Sequence, residues 1–339
     1  MGTLRFFLAL LVLYSHAGGR IQQLNPGVTA VVVFYIISGY VMTALMRRYY
    51  CPSPAGPTLP STAHFYLDRL LRLYPQYLFY AAAATTWFYT IGHPTTFLQP
   101  PAHAIDWLRN LLIAPLNWYM FNGADRFTLI PPAWSLGAEV QFYLVLPLLL
   151  RWPRLAAACA AASLAVQAAA WHGWLNPDWW GYRLLPGVLW LFLLGSALQR
   201  WQRTRPRLAH ALALGAPAAA VLVALYLQAR GHLTQPYHRE VLLGLLLGAP
   251  LVHSLTRAPR AQPPTRHTRF DDMLGNLSYG IFLNHFLCIW LLGLEAPQDA
   301  ASWLALMGAS ILASAVTYLL LERPIVHWRR HWRVAKMKP

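Results

Sequence analysis

Residues 4–18 read LRFFLALLVLYSHAG, an apolar run with one cation near its start and one histidine near its end. Arg5 and His16 stand eleven residues apart, and at about 100° per residue that spacing puts both on one face of a helix. The ten residues between them, FFLALLVLYS, are almost all apolar. Ionisable side chains are costly inside such a run, so they mark a functional position by default. At 1.5 Å of rise per residue the two lie roughly 16 Å apart along the axis, too far to touch and well placed to serve opposite ends of one site. The competing reading is a signal-peptide core, with Ser15 and Ala17 as the small residues before a cleavage point. Cutting there would discard both polar residues of the stripe, and the run is read as an uncleaved anchor.

The remaining sequence supplies the membrane this reading needs. Of 339 residues, 57% are hydrophobic and 11% are charged, and the mean hydropathy is +0.37; soluble domains carry about 25% charged residues. Ten stretches qualify as candidate spans: 4–18, 27–46, 75–92, 134–150, 154–172, 183–199, 208–227, 239–255, 274–294 and 302–321. The expected fold class is therefore all-α, a polytopic membrane protein of about ten helices. With the N-terminus inside, 21 of the 27 Lys and Arg residues fall in inner segments and six (Arg20, Arg109, Arg126, Arg183, Arg230, Arg239) in outer ones, the asymmetry expected of cytoplasmic loops. Both termini are expected in the cytoplasm. The net charge of +16 then reads as topology and attraction to anionic lipid, because the basic residues are dispersed over many short loops. Nucleic acid is not an expected partner.

Three cysteines, Cys51, Cys159 and Cys288, suggest neither a disulfide framework nor a metal cluster. No Gly-rich phosphate loop or HExxH pattern is present, and neither a metal nor a permanently bound cofactor is expected. Residues 47–74 contain a turn-rich piece, CPSPAGPTLPS, then TAHFYLDRLLRLY, which reads as a short amphipathic helix at the cytoplasmic interface. On it Arg69 and Arg72 project from nearly the same face and are suited to gripping a polyanion; the plain alternative is a pair of headgroup anchors. Residues 93–133 form the longest outer stretch, rich in Pro and aromatic residues. Its Trp107, Trp118 and Tyr119 fit an interfacial aromatic belt.

Glu139 lies about five residues into the fourth span, in PPAWSLGAEVQFYLVLPLLL, with no basic residue near it in sequence. A carboxylate there must be protonated, paired or facing water. A histidine on one helix and a carboxylate on another are the parts needed to activate and orient a base.

Five separated blocks resemble the acyltransferase-3 family of integral-membrane acyltransferases, which includes O-antigen and exopolysaccharide O-acetylases. Arg5, ten residues and His16 are similar to its R-x10-H signature, and AVVVFYIISGY (30–40) resembles GVDLFFVLSGF. FYLDRLLRLYP (65–75) places Arg69, Arg72 and Pro75 on an R-x-x-R-x-x-P pattern. WSLGAEVQFYLVLP (134–147) resembles WSLSVEEQFYLLLP, SYGIFLNH (278–285) resembles SYSLYLLH, and the last span ends in Glu322, Arg323 and Pro324. Two positions depart from the pattern: Val32 stands where the family has Asp, and Val140 replaces the second Glu of its EE pair.

The resemblance implies a single transmembrane domain, here over residues 1–339, in the cytoplasmic (inner) membrane of a bacterium; some relatives carry a soluble domain after it, and none is expected here because only IVHWRRHWRVAKMKP follows Pro324. It implies an O-acyltransferase moving an acyl group, acetyl in the commonest case, from cytoplasmic acyl-CoA to a hydroxyl of an envelope glycan or lipid-linked sugar. Arg69 and Arg72, with Arg5, would hold the donor's phosphates. His16 would act as general base or as acyl-carrying nucleophile, with Glu139 orienting or stabilising the imidazole. Ser38, Tyr40, Trp134, Ser135, Asn284 and His285 are candidate lining residues. A transporter or flippase is the competing class, since Gly39, Pro186, Gly187, Gly195 and Pro250 interrupt spans as they do in transporters; no repeat between the two halves supports it.

Overall fold

The computed structural model describes residues 1–51, 58–257 and 265–335. Most of the expected turn-rich piece after Cys51, and the basic residues Arg260, Lys336 and Lys338, lie outside the described residues. The helices are α1 (Gly2–His16), α2 (Pro26–Tyr49), α3 (Leu59–Thr90), α4 (Ala104–Leu112), α5 (Tyr119–Asn122), α6 (Ala133–Arg151) and α7 (Pro153–Trp171). They continue as α8 (Leu185–Thr204), α9 (Pro206–Ala229), α10 (His238–Arg257), α11 (Arg266–Leu292), α12 (Ala300–Thr317) and α13 (Arg323–Ala335). Single π-helical turns precede α8 (Trp179–Arg183) and α13 (Tyr318–Glu322). No strand occurs among the described residues, as a chain crossing lipid requires when it forms no barrel.

Each of the ten expected spans falls on helical residues, but the bounds differ where α3 begins at Leu59 instead of 75 and α11 at Arg266 instead of 274, and α1 and α3 are not among the segments long and apolar enough to count as spans. Eight of the described helical segments are long and apolar enough to cross a membrane. Helix α1, at 15 residues, is shorter; it extends roughly 22 Å against a hydrocarbon core of about 30 Å. The expected break between an amphipathic helix and a span beginning at Pro75 is not observed. Helix α3 runs through Pro75 for 32 residues. Membrane helices tolerate an internal proline because lipid offers the backbone no other hydrogen-bonding partner, so continuing the helix costs less than breaking it. The outer stretch read as a loop also contains α4 and α5 with two 3-10 turns. Buried Asp106 organises it, accepting from the His103 N–H at 3.0 Å and pairing with Arg109 (3.1 Å) and Arg126 (3.4 Å).

The chain forms two compact units. The first comprises Met1, Arg20–Thr62 and Ala138–Phe270. In it α2 packs on α8 and α10, α10 on α9, and α7 on α8. Helices α2 and α8 approach until only glycine fits: a Cβ on Gly39 would lie 1.9 Å from the Phe192 carbonyl oxygen, and one on Gly195 would lie 2.0 Å from that of Ile36. Thr43 donates to Ser196 across the same seam at 2.8 Å. Small residues with hydroxyl cross-bonds are how helices associate where no hydrophobic driving force exists. Val32, the departure from the family's Asp, is fully buried, and a Cβ on Gly244 of α10 would lie 2.6 Å from its Cβ. An apolar contact fills that position.

The second unit comprises Gly2–Gly19, Ala63–Gly137 and Asp271–Pro339. In it α1 and α11 run side by side in the same direction. Asp271 accepts from the N–H groups of Gly2 (3.0 Å) and Thr3 (2.8 Å) and from the Thr3 hydroxyl (2.9 Å), while the far ends meet at His16 and His285. Gly2 and Gly275 permit the close start, since a Cβ on Gly275 would lie 2.7 Å from the Gly2 Cα. The carboxylate caps the open N–H groups of the first turn and opposes the positive end of its dipole.

Candidate active site

Helix α1 carries Arg5, half-buried, near its start and His16, exposed, as its last residue. His16 Nδ1 lies 2.9 Å from Nε2 of His285, which is fully buried, and His285 Nδ1 lies 2.9 Å from the carbonyl oxygen of Ile281. The ring planes are 7° apart with centroids at 5.1 Å, the arrangement of two coplanar rings joined edge to edge. A carbonyl oxygen only accepts, so His285 must carry its proton on Nδ1. A neutral His285 then accepts at Nε2, His16 must donate from Nδ1, and in neutral His16 the basic lone pair is on Nε2. The tautomer of the outer histidine is thus set by a backbone carbonyl two bonds removed, the logic by which an oriented imidazole becomes a base or a nucleophile.

Phe286 packs on both rings, with centroids 5.0 Å from His16 and 5.2 Å from His285. Behind it Trp290 lies at 5.7 Å and stacks on Trp87 at 5.1 Å. Phe97 closes on Phe286 edge-on at 5.3 Å. This apolar wall lowers the local dielectric and strengthens each polar contact beside it.

Asn284, fully buried, holds helices together. Its amide donates to the Ser310 carbonyl (2.9 Å) and the Tyr80 hydroxyl (3.2 Å) and accepts from the Ser310 hydroxyl (2.5 Å). The Trp134 carbonyl accepts from Asn117 at 3.1 Å, and the Ser135 hydroxyl donates to Pro132 at 3.0 Å; these bonds shape the start of α6.

Arg69 and Arg72 both have carboxylate partners inside the second unit. Arg69, 7% exposed, pairs with its neighbour Asp68, which also takes Arg329 of α13 at 3.1 Å. Arg72 lies 2.6 Å from Glu322 and packs its guanidinium on the Tyr279 ring at 5.0 Å. The two arginines therefore differ. Arg69 is locked in a buried ionic cluster, whereas Arg72 is the more open.

In the first unit, Glu139 Oε1 accepts from the Ser38 hydroxyl and the Tyr143 hydroxyl, each at 2.5 Å. Tyr143 follows Glu139 by four residues on α6, a pairing that the helical i,i+4 spacing makes readable; it escaped the sequence reading, as did Asp68 and Arg329. Tyr40 donates to Gln202 of α8 at 2.5 Å. No group of three or more metal-ligating side chains occurs among the described residues.

Comparison with known proteins agrees with this architecture. A family model described as an acyltransferase domain matches residues 2–322. An uncharacterized protein of Aquifex aeolicus (strain VF5) is 37% identical over 195 residues, 57% of this chain and 84% of that one. Nodulation protein 10 of Rhizobium leguminosarum bv. viciae is 25% identical over 371 residues, 96% of this chain and 92% of its own. O-acetyltransferase OatA of Staphylococcus aureus (strain NCTC 8325 / PS 47) is 32% identical over 152 residues, 43% of this chain and 24% of OatA. No solved structure matches. With an all-helical, membrane-spanning architecture and a family match over nearly its whole length, this chain belongs to the acyltransferase-3 family of integral-membrane acyltransferases.

Proposed function

We propose that this protein transfers an acyl group, acetyl as the first candidate, from cytoplasmic acyl-CoA to a hydroxyl of an envelope or extracellular glycan or lipid-linked sugar at the outer face of the cytoplasmic membrane. The observation that carries the reading is the relay from His16 through His285 to the Ile281 carbonyl. The likeness to an O-acetyltransferase supports the choice of group and of a hydroxyl acceptor.

In the direct route His16 Nε2 takes the proton of the acceptor hydroxyl as that oxygen attacks the thioester carbonyl carbon. The C–O bond forms, the C–S bond breaks, and the departing thiolate takes the proton back from the imidazolium, giving an ester and the CoA thiol. In the two-step route the same nitrogen attacks the thioester carbonyl carbon, the C–N bond forms as the C–S bond breaks and CoA leaves as thiolate, and the hydroxyl oxygen then takes the acyl group from the acyl-imidazolium, its proton passing to the thiolate to give the ester, the CoA thiol and neutral His16. Both use the Nε2 lone pair, and in both His285 positions the ring and accepts its Nδ1–H more strongly as charge develops. Glu139, hydrogen-bonded by Ser38 and Tyr143 in the first unit, remains the candidate carboxylate that the family resemblance implies. Arg72, with Arg5, is assigned to the donor's phosphates, and Arg69 braces the region through Asp68.

The test is transfer of label from radiolabelled acetyl-CoA to an envelope glycan fraction by purified protein in detergent, with thiol release followed in parallel. Label in glycan with wild type and none with His16→Ala supports the reading. Folded wild-type protein that releases no CoA from any short acyl donor overturns it. Label retained on the protein when acceptor is withheld selects the two-step route.

A further inference from the structure

Toward their C-terminal ends α2, α8 and α10 are drawn together by Gln202 of α8, which accepts from the Tyr40 hydroxyl of α2 at 2.5 Å and donates to the Thr256 hydroxyl of α10 at 3.2 Å. The same ends carry Arg47, Arg48, Arg200, Arg203 and Arg257, all exposed or half-buried. Arg47 donates to Gln199 of α8 at 3.5 Å, which sets its charge against that of Arg200. None of the five makes an ion pair among the described residues. The first unit has three carboxylates, Glu139, Asp178 and Glu240, and all are engaged elsewhere. Glu139 accepts from Ser38 and Tyr143, Asp178 pairs with Arg183 ahead of α8, and Glu240 accepts from the Asn25 N–H ahead of α2. In the second unit, by contrast, the buried Arg69 and Arg329 share Asp68.

Cations at helix C-termini oppose the helix dipole, but each end supplies only about half a negative charge. Three ends therefore offset roughly 1.5 of the five positive charges, and the remainder calls for an anion from outside the chain. The arginines also terminate apolar faces. Val41, Leu45 and Arg48 share one face of α2, and Leu193, Ala197 and Arg200 one face of α8, each at i, i+4, i+7 spacing; none of the six is buried. Both helices are long and apolar enough to cross a membrane. A soluble phosphate would use the guanidiniums and leave these faces bare, whereas a phospholipid uses both, its phosphate on the arginines and its chains along the apolar side chains. We infer that the C-terminal junction of α2, α8 and α10 is a binding site for the headgroup phosphate of an anionic phospholipid, with Arg47 and Arg200 as its principal ligands. The site lies within the first unit and stands independently of the acyl-transfer reading.

The experiment titrates purified full-length protein in detergent with phosphatidylglycerol or phosphatidylcholine of the same chains and counts retained lipid by native mass spectrometry. Wild type is expected to hold phosphatidylglycerol well above phosphatidylcholine. Arg47→Gln with Arg200→Gln is expected to weaken phosphatidylglycerol retention about 30-fold, at about 1 kcal/mol for each arginine. Arg154→Gln with Arg207→Gln removes the same charge from the starts of α7 and α9 and is expected to leave retention nearly unchanged. Equal loss in the two double variants means a diffuse field and overturns the site. So does wild-type protein that shows no preference between the lipids, a result that needs no variant to fold. Adenosine 3′,5′-bisphosphate is the competitor: failure to displace the lipid at equal concentration supports the inference, and full displacement assigns the arginines to a soluble phosphate and overturns it.

Discussion

His16 and His285 meet in plane across 2.9 Å at the far end of two parallel helices whose near ends are tied at Thr3 and Asp271, and the sequence offset at both ends is 268 or 269 residues. A constant offset means that α1 and α11 advance together, with no slip between the tether and the histidines. His16 is therefore positioned by a register as well as by a hydrogen bond.

If His285 sets the tautomer of His16, its variants lower turnover rather than binding. His285→Ala is expected to reduce kcat by about 10²-fold or more with the acyl-donor KM nearly unchanged, and His16→Ala to abolish transfer while acyl-CoA still binds. Steady-state kinetics beside calorimetric binding separates the two parameters. A parallel fall in affinity for both variants would return the pair to a packing role.

Asp271 caps the first turn of α1 with three hydrogen bonds. Asp271→Ala is expected to cost about 1–2 kcal/mol of stability and to lower kcat with it. Asp271→Asn, which keeps an acceptor but no charge, should recover much of both. Thermal unfolding in detergent, read with thiol release, checks the pairing of the two losses.

The two arginines of the R-x-x-R pattern should part company. Arg72→Ala is expected to raise the acyl-CoA KM about tenfold in folded protein. Arg69→Ala is expected to lower stability by about 3 kcal/mol, because it strips a partner from fully buried Asp68. Size-exclusion and unfolding profiles of both variants, with donor titrations of whichever folds, decide this. An unstable Arg72→Ala beside a well-folded Arg69→Ala with raised KM would reverse the assignment.

The seam between α2 and α8 should tolerate no side chain. Gly39→Ala places a methyl group 1.9 Å from the Phe192 carbonyl oxygen and is expected to destabilise by about 3 kcal/mol. Gly215→Ala, on α9 with nothing within 4 Å of the added carbon, should be neutral or stabilising by up to about 1 kcal/mol. Equal unfolding temperatures for the two variants would mean that the seam opens freely.

The positions of the spans were legible in the sequence because lipid forces each segment to satisfy its own backbone, which makes hydropathy a local property. Cost made Arg5, His16 and Glu139 legible as well, since a polar group within an apolar run stands out without knowledge of its neighbours. Helix α3 shows the limit even locally: Pro75 reads as a boundary, yet the helix passes through it. Partners were not legible. His285 was one of several lining candidates, and nothing in SYGIFLNH says that its Nε2 meets a ring 269 positions away. Asp68 looked like one more charge of an amphipathic helix until Arg329 closed on it. By itself the sequence determined which segments are apolar enough to enter a membrane and which polar side chains stand out within them, because both follow from local transfer free energy. The tertiary structure alone decided which ring holds the tautomer of His16 and which carboxylates claim Arg69 and Arg72, because hydrogen bonds and ion pairs act over about 3 Å between helices whose spacing in the chain carries no record of their adjacency.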